Sequence, residues 1–208
     1  MADQNSITAS LVATLATARA HVEKLADTHR LQRGAQPAEQ ADIAAHEAEA
    51  KRETPDPKKL EVLNAKRCAH PAEHERLARV MGGQLLLVPG LITELQTHAA
   101  PARADVLEGL RRYAVRTIGP LFEGPAIEGQ MRNASAIPGL ASCTLDNLTH
   151  SIVLGSDFAA RIRALEAESA HLAAGDAAAL NFAVQWAERC LAVHVDWQTF
   201  LAAQARAA

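Results

Sequence analysis

The chain has 208 residues, 49% of them apolar and 22% charged, which excludes wholesale disorder and suits one domain with room for an appendage. Its formal charge of -3 gives no general attraction to nucleic acid or to anionic lipid. Aromatic residues make up only 3%, so the core must be built from Leu, Val, Ile and Ala, which suits closely packed helices.

In chain order, Ser6 caps a predicted helix that runs to about Arg33 and is stopped by Gly34. Its apolar row is Leu11, Leu15, Ala18, Val22, Leu25 and His29, at alternating steps of four and three. That rhythm is the seam of an antiparallel bundle or a short coiled coil. Pro37 opens a second predicted helix, rich in Ala, Glu and Lys, which ends before Thr54-Pro55. Asp56 and Pro57 suit the cap and first turn of a third, holding Leu60, Leu63 and Cys68. His70-Pro71 is the next break, because a residue before proline is pushed out of the helical region.

A helix from Pro71 carries Leu77, Val80 and Met81, and Gly82-Gly83 interrupts or ends it. Gln84 to Val88 and Ser151 to Leu154 are short apolar runs that fit buried helix or strand. Helix is preferred for both, since a lone two-stranded pair is marginal. Asp105 to Ile118 reads as helix, with Val106, Leu110 and Tyr113 near one face. Gly119 to Ser142 reads as a long loop that either connects or covers a pocket, with Glu123, Glu128 and Arg132 as its charged groups. Helix resumes near Thr144, and a longer one from Ser156 holds Phe158, Ile162, Leu165 and Leu172 until Gly175.

Asp176 caps the C-terminal helix, which carries two neighbouring apolar rows. One is Leu180, Val184, Ala187, Leu191 and Leu201, with His194 among them; the other is Ala183, Trp186, Cys190, Val193, Trp197 and Phe200. Two adjacent rows need partners on more than one side. The expected fold is therefore all-α, an irregular antiparallel bundle of about six to eight helices around a central C-terminal helix. Trp186, Leu191 and Trp197 are expected to be buried. One helical domain over 1–208 is expected, in which 1–55 can stand as a peripheral two-helix extension.

Cys68, Cys143 and Cys190 form no CxxC pair and are odd in number, so they read as reduced thiols. No signal peptide is expected at the N-terminus, and the apolar window Val80 to Leu95 is too short and interrupted to span a bilayer. A cytoplasmic protein without a membrane or nucleic-acid partner is the expectation.

The densest set of possible metal ligands lies in Cys68 to His74. His70 and His74 stand one helical turn apart, and Glu73 can add an oxygen or orient a ligand, so zinc or iron is the metal to consider. The same cluster also reads as a polar helix start with solvated charges. Pro71 puts His70 at the helix entry, and the zinc-protease order of His followed by Glu is absent. The spread of His21, His46, His70, His74 and His98 is loosely similar to the hemerythrin class, whose bundle holds two irons through histidines and carboxylates. Only the His70/His74 pair matches: Ala50 and Arg103 stand where that class needs carboxylates. Glu168 and His171 give one Glu-x-x-His where a ferritin-like site needs two. No serine elbow and no glycine-rich phosphate cradle is present.

These features lead to two functional expectations. The first is a non-enzymatic binding or assembly protein whose partner is itself or another helical protein, docked on the first helix. The alternative is a metal-dependent helical-bundle protein, enzyme or sensor, built on His70, Glu73 and His74.

Overall fold

The computed structural model describes residues 4–118, 156–172 and 176–207. Among them the regular structure is helical throughout, in four α-helices: α1 Gln4–Ala50, α2 Pro57–Ile118, α3 Asp157–Ser169 and α4 Ala177–Ala207. The all-α class holds. The count of six to eight does not, because the expected breaks fail to break. Gly34 and Pro37 lie inside α1, and Pro71, Gly82 and Gly83 inside α2, where Pro89, Gly90 and Pro101, at which no break was expected, are helical as well. The stretch Gln84 to Val88 is helical, as preferred. Gly119 to Ser142, Thr144 and Ser151 to Leu154 fall outside the described residues.

An interior proline removes one backbone donor and costs about 3 kcal/mol in a helix. Tertiary burial can offset that if the ring stays out of the packed face. Here every one of those prolines and glycines is exposed. The shielded positions of α1 run Leu11, Thr14, Ala18, His21, Leu25, Thr28, Gln32, Ala35, Glu39, Asp42, His46 and Glu49. Their steps alternate three and four without interruption, straight past Gly34 and Pro37, which is the heptad rhythm of a helix held against a neighbour. In α2 the same rhythm runs from His70 through His74, Leu77, Met81, Gln84 and Val88, past Pro71 and the glycine pair. The seam of α1 also differs from the expected row. Leu11, Leu15, Ala18 and Leu25 are buried, but His29 is exposed, and Thr14, His21 and Thr28 take the inward places.

Contacts divide the chain into two compact units. The first comprises Met1–Leu15, Ile92–Ala173 and Phe182–Ala208. The second comprises Ala16–Leu91 and Ala174–Asn181.

In the first unit α4 is central, as its two rows require. Trp186 and Trp197 are buried, with Ala183, Val184, Ala187, Cys190 and Val193 of the same helix. Leu191, expected to be buried, is half-exposed at the margin of the face. Toward α3, the Trp186 indole N–H donates to the Leu165 carbonyl at 2.7 Å. Phe158 meets Trp197 edge-on with ring centroids 5.3 Å apart. Toward α2, Trp197 meets Tyr113 and also stacks on Phe200 of its own helix. Arg189 with Glu168 and Arg161 with Asp196 tie α4 to α3 at the rim. Ser156 caps α3 by accepting the Ala159 N–H at 3.0 Å, at the predicted helix start.

In the second unit α1 and α2 form an antiparallel hairpin. Advancing three residues on α1 from Glu39 to Asp42 moves the partner four residues back on α2, from His74 to His70. Glu49 anchors the turn. Its carboxylate accepts from Lys59 Nζ at 2.6 Å and lies 3.3 Å from Arg52. Asp56 caps α2 through the Lys58 N–H, as expected from Asp56-Pro57. Asp176 caps α4 in the same way, accepting the Ala179 N–H at 2.7 Å.

Candidate functional site

Histidines are the first candidates for chemistry, and the structure gives His21, His70, His74, His98 and His194 each a separate partner. His70 Nε2 lies 3.0 Å from Asp42 Oδ2, and His74 Nε2 lies 3.1 Å from Glu39 Oε2. The two rings therefore engage two different carboxylates on α1. Glu73 turns away and grips Arg76, whose guanidinium reaches it with contacts of 2.7 and 2.6 Å. That bidentate hydrogen bond holds the Glu73 carboxyl below the usual carboxylate range. Among the described residues no group of three or more His, Cys, Asp or Glu side chains is placed to hold a metal ion.

The other seam histidines repeat the pattern. His21 Nε2 donates to the Gln84 carbonyl at 2.8 Å. The Thr14 hydroxyl donates its one hydrogen to the Ser10 carbonyl, so it must accept from His98 Nδ1, which stands 2.6 Å away. In the first unit, His194 Nε2 donates to Asp105 at 3.1 Å, and the Gln198 amide donates to the same carboxylate oxygen at 2.8 Å. Cys190 is buried, and burial pushes its thiol up to about 12, far from a nucleophile's range.

An open groove of about 510 Å³ lies in the second unit between α1 and α2 beside the start of α4. Val22, Leu25, Ala26, Met81 and Leu85 line it, so its wall is aliphatic. Its polar members are His29, Gln32 and Asp176, and Asp176 is already engaged as a cap. No nucleophile stands beside a base on this lining. No helix is long and apolar enough to cross a membrane among the described residues.

The outer face of α2 is different in kind. Leu86 is 82% exposed and Leu87 58% exposed, in the middle of a continuous helix. Val80 stands at the edge of the same face, also exposed. Arg79, Gly83, Leu86, Leu87, Gly90 and Glu94 follow one another at helical steps on the side away from the seam, all exposed. A side chain at Gly83 or Gly90 would have nothing within 4 Å. Scattered surface leucines are ordinary, but two adjacent ones flanked by two open glycines form an apolar strip without cover among the described residues. The sequence does not mark it, because Gly82-Gly83 reads locally as a point that interrupts or ends a helix. Read instead as helix, the spacing from Gly83 to Gly90 puts both glycines and both leucines on one side.

Comparison with known proteins adds no family to this geometry: no protein-family model, curated protein or solved structure matches the chain.

Proposed function

We propose that this is a non-enzymatic binding or assembly protein that acts through helix-helix contacts, with the outer face of α2 as its docking surface and a helical protein as its partner. The observation that carries the reading is the exposure of Leu86 and Leu87 in the middle of a helix. The first helix, expected to be the docking face, spends Leu11, Leu15, Ala18 and Leu25 within the chain itself. Its seam is not available to a partner. The individually paired histidines and the aliphatic groove also favour binding over catalysis. Cys68 and Cys190 are free thiols, which fits a reducing compartment such as the cytoplasm.

The test is site-specific photo-crosslinking in living cells. Benzoyl-phenylalanine in place of Leu87 is expected to capture a protein partner, while the same group at exposed Val62 is not. Position 87 giving no adduct at all, or no more than position 62, would sink the reading.

A further inference from the structure

Resting on that helix-contact reading, we propose that the partner is a second copy of this chain, docked α2 against α2 in antiparallel fashion about a two-fold axis between Leu86 and Leu87. The face is complementary to itself in this direction. With the axis there, Leu86 of one copy faces Leu87 of its partner. Gly83 then faces Gly90, and Arg79 faces Glu94. Each of these residues is exposed, and all lie on the uninterrupted helix α2. A two-fold axis repeats every pair, so each dimer carries two Arg79–Glu94 contacts, two Gly83–Gly90 approaches and a central leucine cluster.

Charge decides the direction. A parallel pairing in register would set Arg79 against Arg79 and Glu94 against Glu94, which repels at both ends of the strip. The antiparallel pairing turns both into opposite-charge contacts. Arg79 now pairs with Glu75 of its own helix, both of them well exposed, and such a surface pair is weak enough to exchange.

The glycines point the same way. Glycine inside a helix is unfavourable relative to alanine, and nothing within the chain crowds position 83 or 90. What bare backbone at these two places provides is room for a second helix to come close. In the antiparallel pairing the two bare patches meet, flanking the leucines.

The measurement is sedimentation equilibrium on the purified full chain alone. A dimer is expected by about 100 μM, and Leu87→Glu is expected to raise the dimer dissociation constant by at least about tenfold. Gly83→Leu should weaken the dimer as well, while circular dichroism shows helicity retained, since a side chain there meets open space. Arg79→Glu should weaken the dimer, and Arg79→Glu combined with Glu94→Arg should restore it. A strict monomer, a dimer indifferent to Leu87→Glu, or a double charge swap that fails to restore affinity would each overturn the proposal. Failure here is separable from failure of the broader reading: a monomer whose position 87 still crosslinks to another protein loses only the self-pairing.

Discussion

The indole of Trp197 stands where residue 109 would carry a side chain. A Cβ built on Gly109 would come within 2.5 Å of Trp197 Nε1 and 2.8 Å of two neighbouring ring carbons. The ring is rigid and Trp197 is buried, so the indole has little room to yield. Glycine at 109 is thus a packing requirement of the first unit.

That relationship predicts opposite signs for one substitution at two sites. Gly109→Ala gains about 1 kcal/mol of helix propensity but forces overpacking of about 1–3 kcal/mol, for a net loss of up to about 2 kcal/mol. Gly34→Ala meets no atom within 4 Å and is expected to stabilise. The gain there should be up to about 1 kcal/mol. Urea unfolding midpoints of the two variants against wild type check both signs at once.

A second expectation concerns the His194–Asp105 pair. His194 is buried, its Nε2 hydrogen goes to Asp105, and its Nδ1 has no partner among the described residues. Asp105→Ala leaves that buried N–H unsatisfied and should cost about 1–3 kcal/mol. Adding His194→Leu removes the stranded donor, so the double variant should recover much of the loss. A double variant as unstable as the sum of the two singles would show that the pair is not coupled.

For the thiols, burial predicts selectivity. Cys68 is exposed, whereas Cys190 is buried and its thiol is pushed up to about 12. Iodoacetamide at about pH 8 should modify Cys68 in the native protein and leave Cys190 unmodified until denaturant is added. Peptide mass spectrometry reads the two sites separately, and rapid native labelling of Cys190 would contradict the packing around Trp186 and Trp197.

Glu49 gives the pH dependence. The Lys59 hydrogen bond, foremost, holds its carboxyl below the ordinary carboxylate range. A folded-state value below the unfolded one stabilises the fold at pH above the unfolded value. The contribution disappears as pH falls through the folded value. Glu49→Gln should therefore lower the Tm at neutral pH, and the difference should close as the solution is acidified through the carboxylate range. A Tm difference that is flat with pH would assign the effect to packing instead.

How far the sequence was legible follows from which forces act locally. The caps at Asp56, Ser156 and Asp176 were readable because each is a contact within three residues. The two rows of α4 were readable because apolar residues fill them. The lengths of α1 and α2 were misread at Pro37, Pro71 and Gly82-Gly83, where local propensity is poor and tertiary packing overrides it. The missed signal was the three-four rhythm continuing across the breaks, carried past Gly34 and Pro37 by Gln32, Ala35, Glu39 and Asp42 and past Pro71 and Gly82-Gly83 by His70, His74, Leu77, Met81 and Gln84, few of them large and apolar. For the same reason the His70/His74 spacing was visible, while their partners Asp42 and Glu39 lie about thirty residues away and no local pattern marks them.

The unbroken rhythm of α1 also makes the hairpin a kind of ruler. Its graduations are the layers in which Glu39 meets His74 and Asp42 meets His70. Removing seven residues from one arm between these layers and the turn would slide every outer partner by about 10 Å along the other arm. Removing seven from both arms would bring the same faces back together, one graduation shorter. Length in this part of the molecule can therefore change only in matched steps, with the turn held by Glu49 and Lys59 carried along intact.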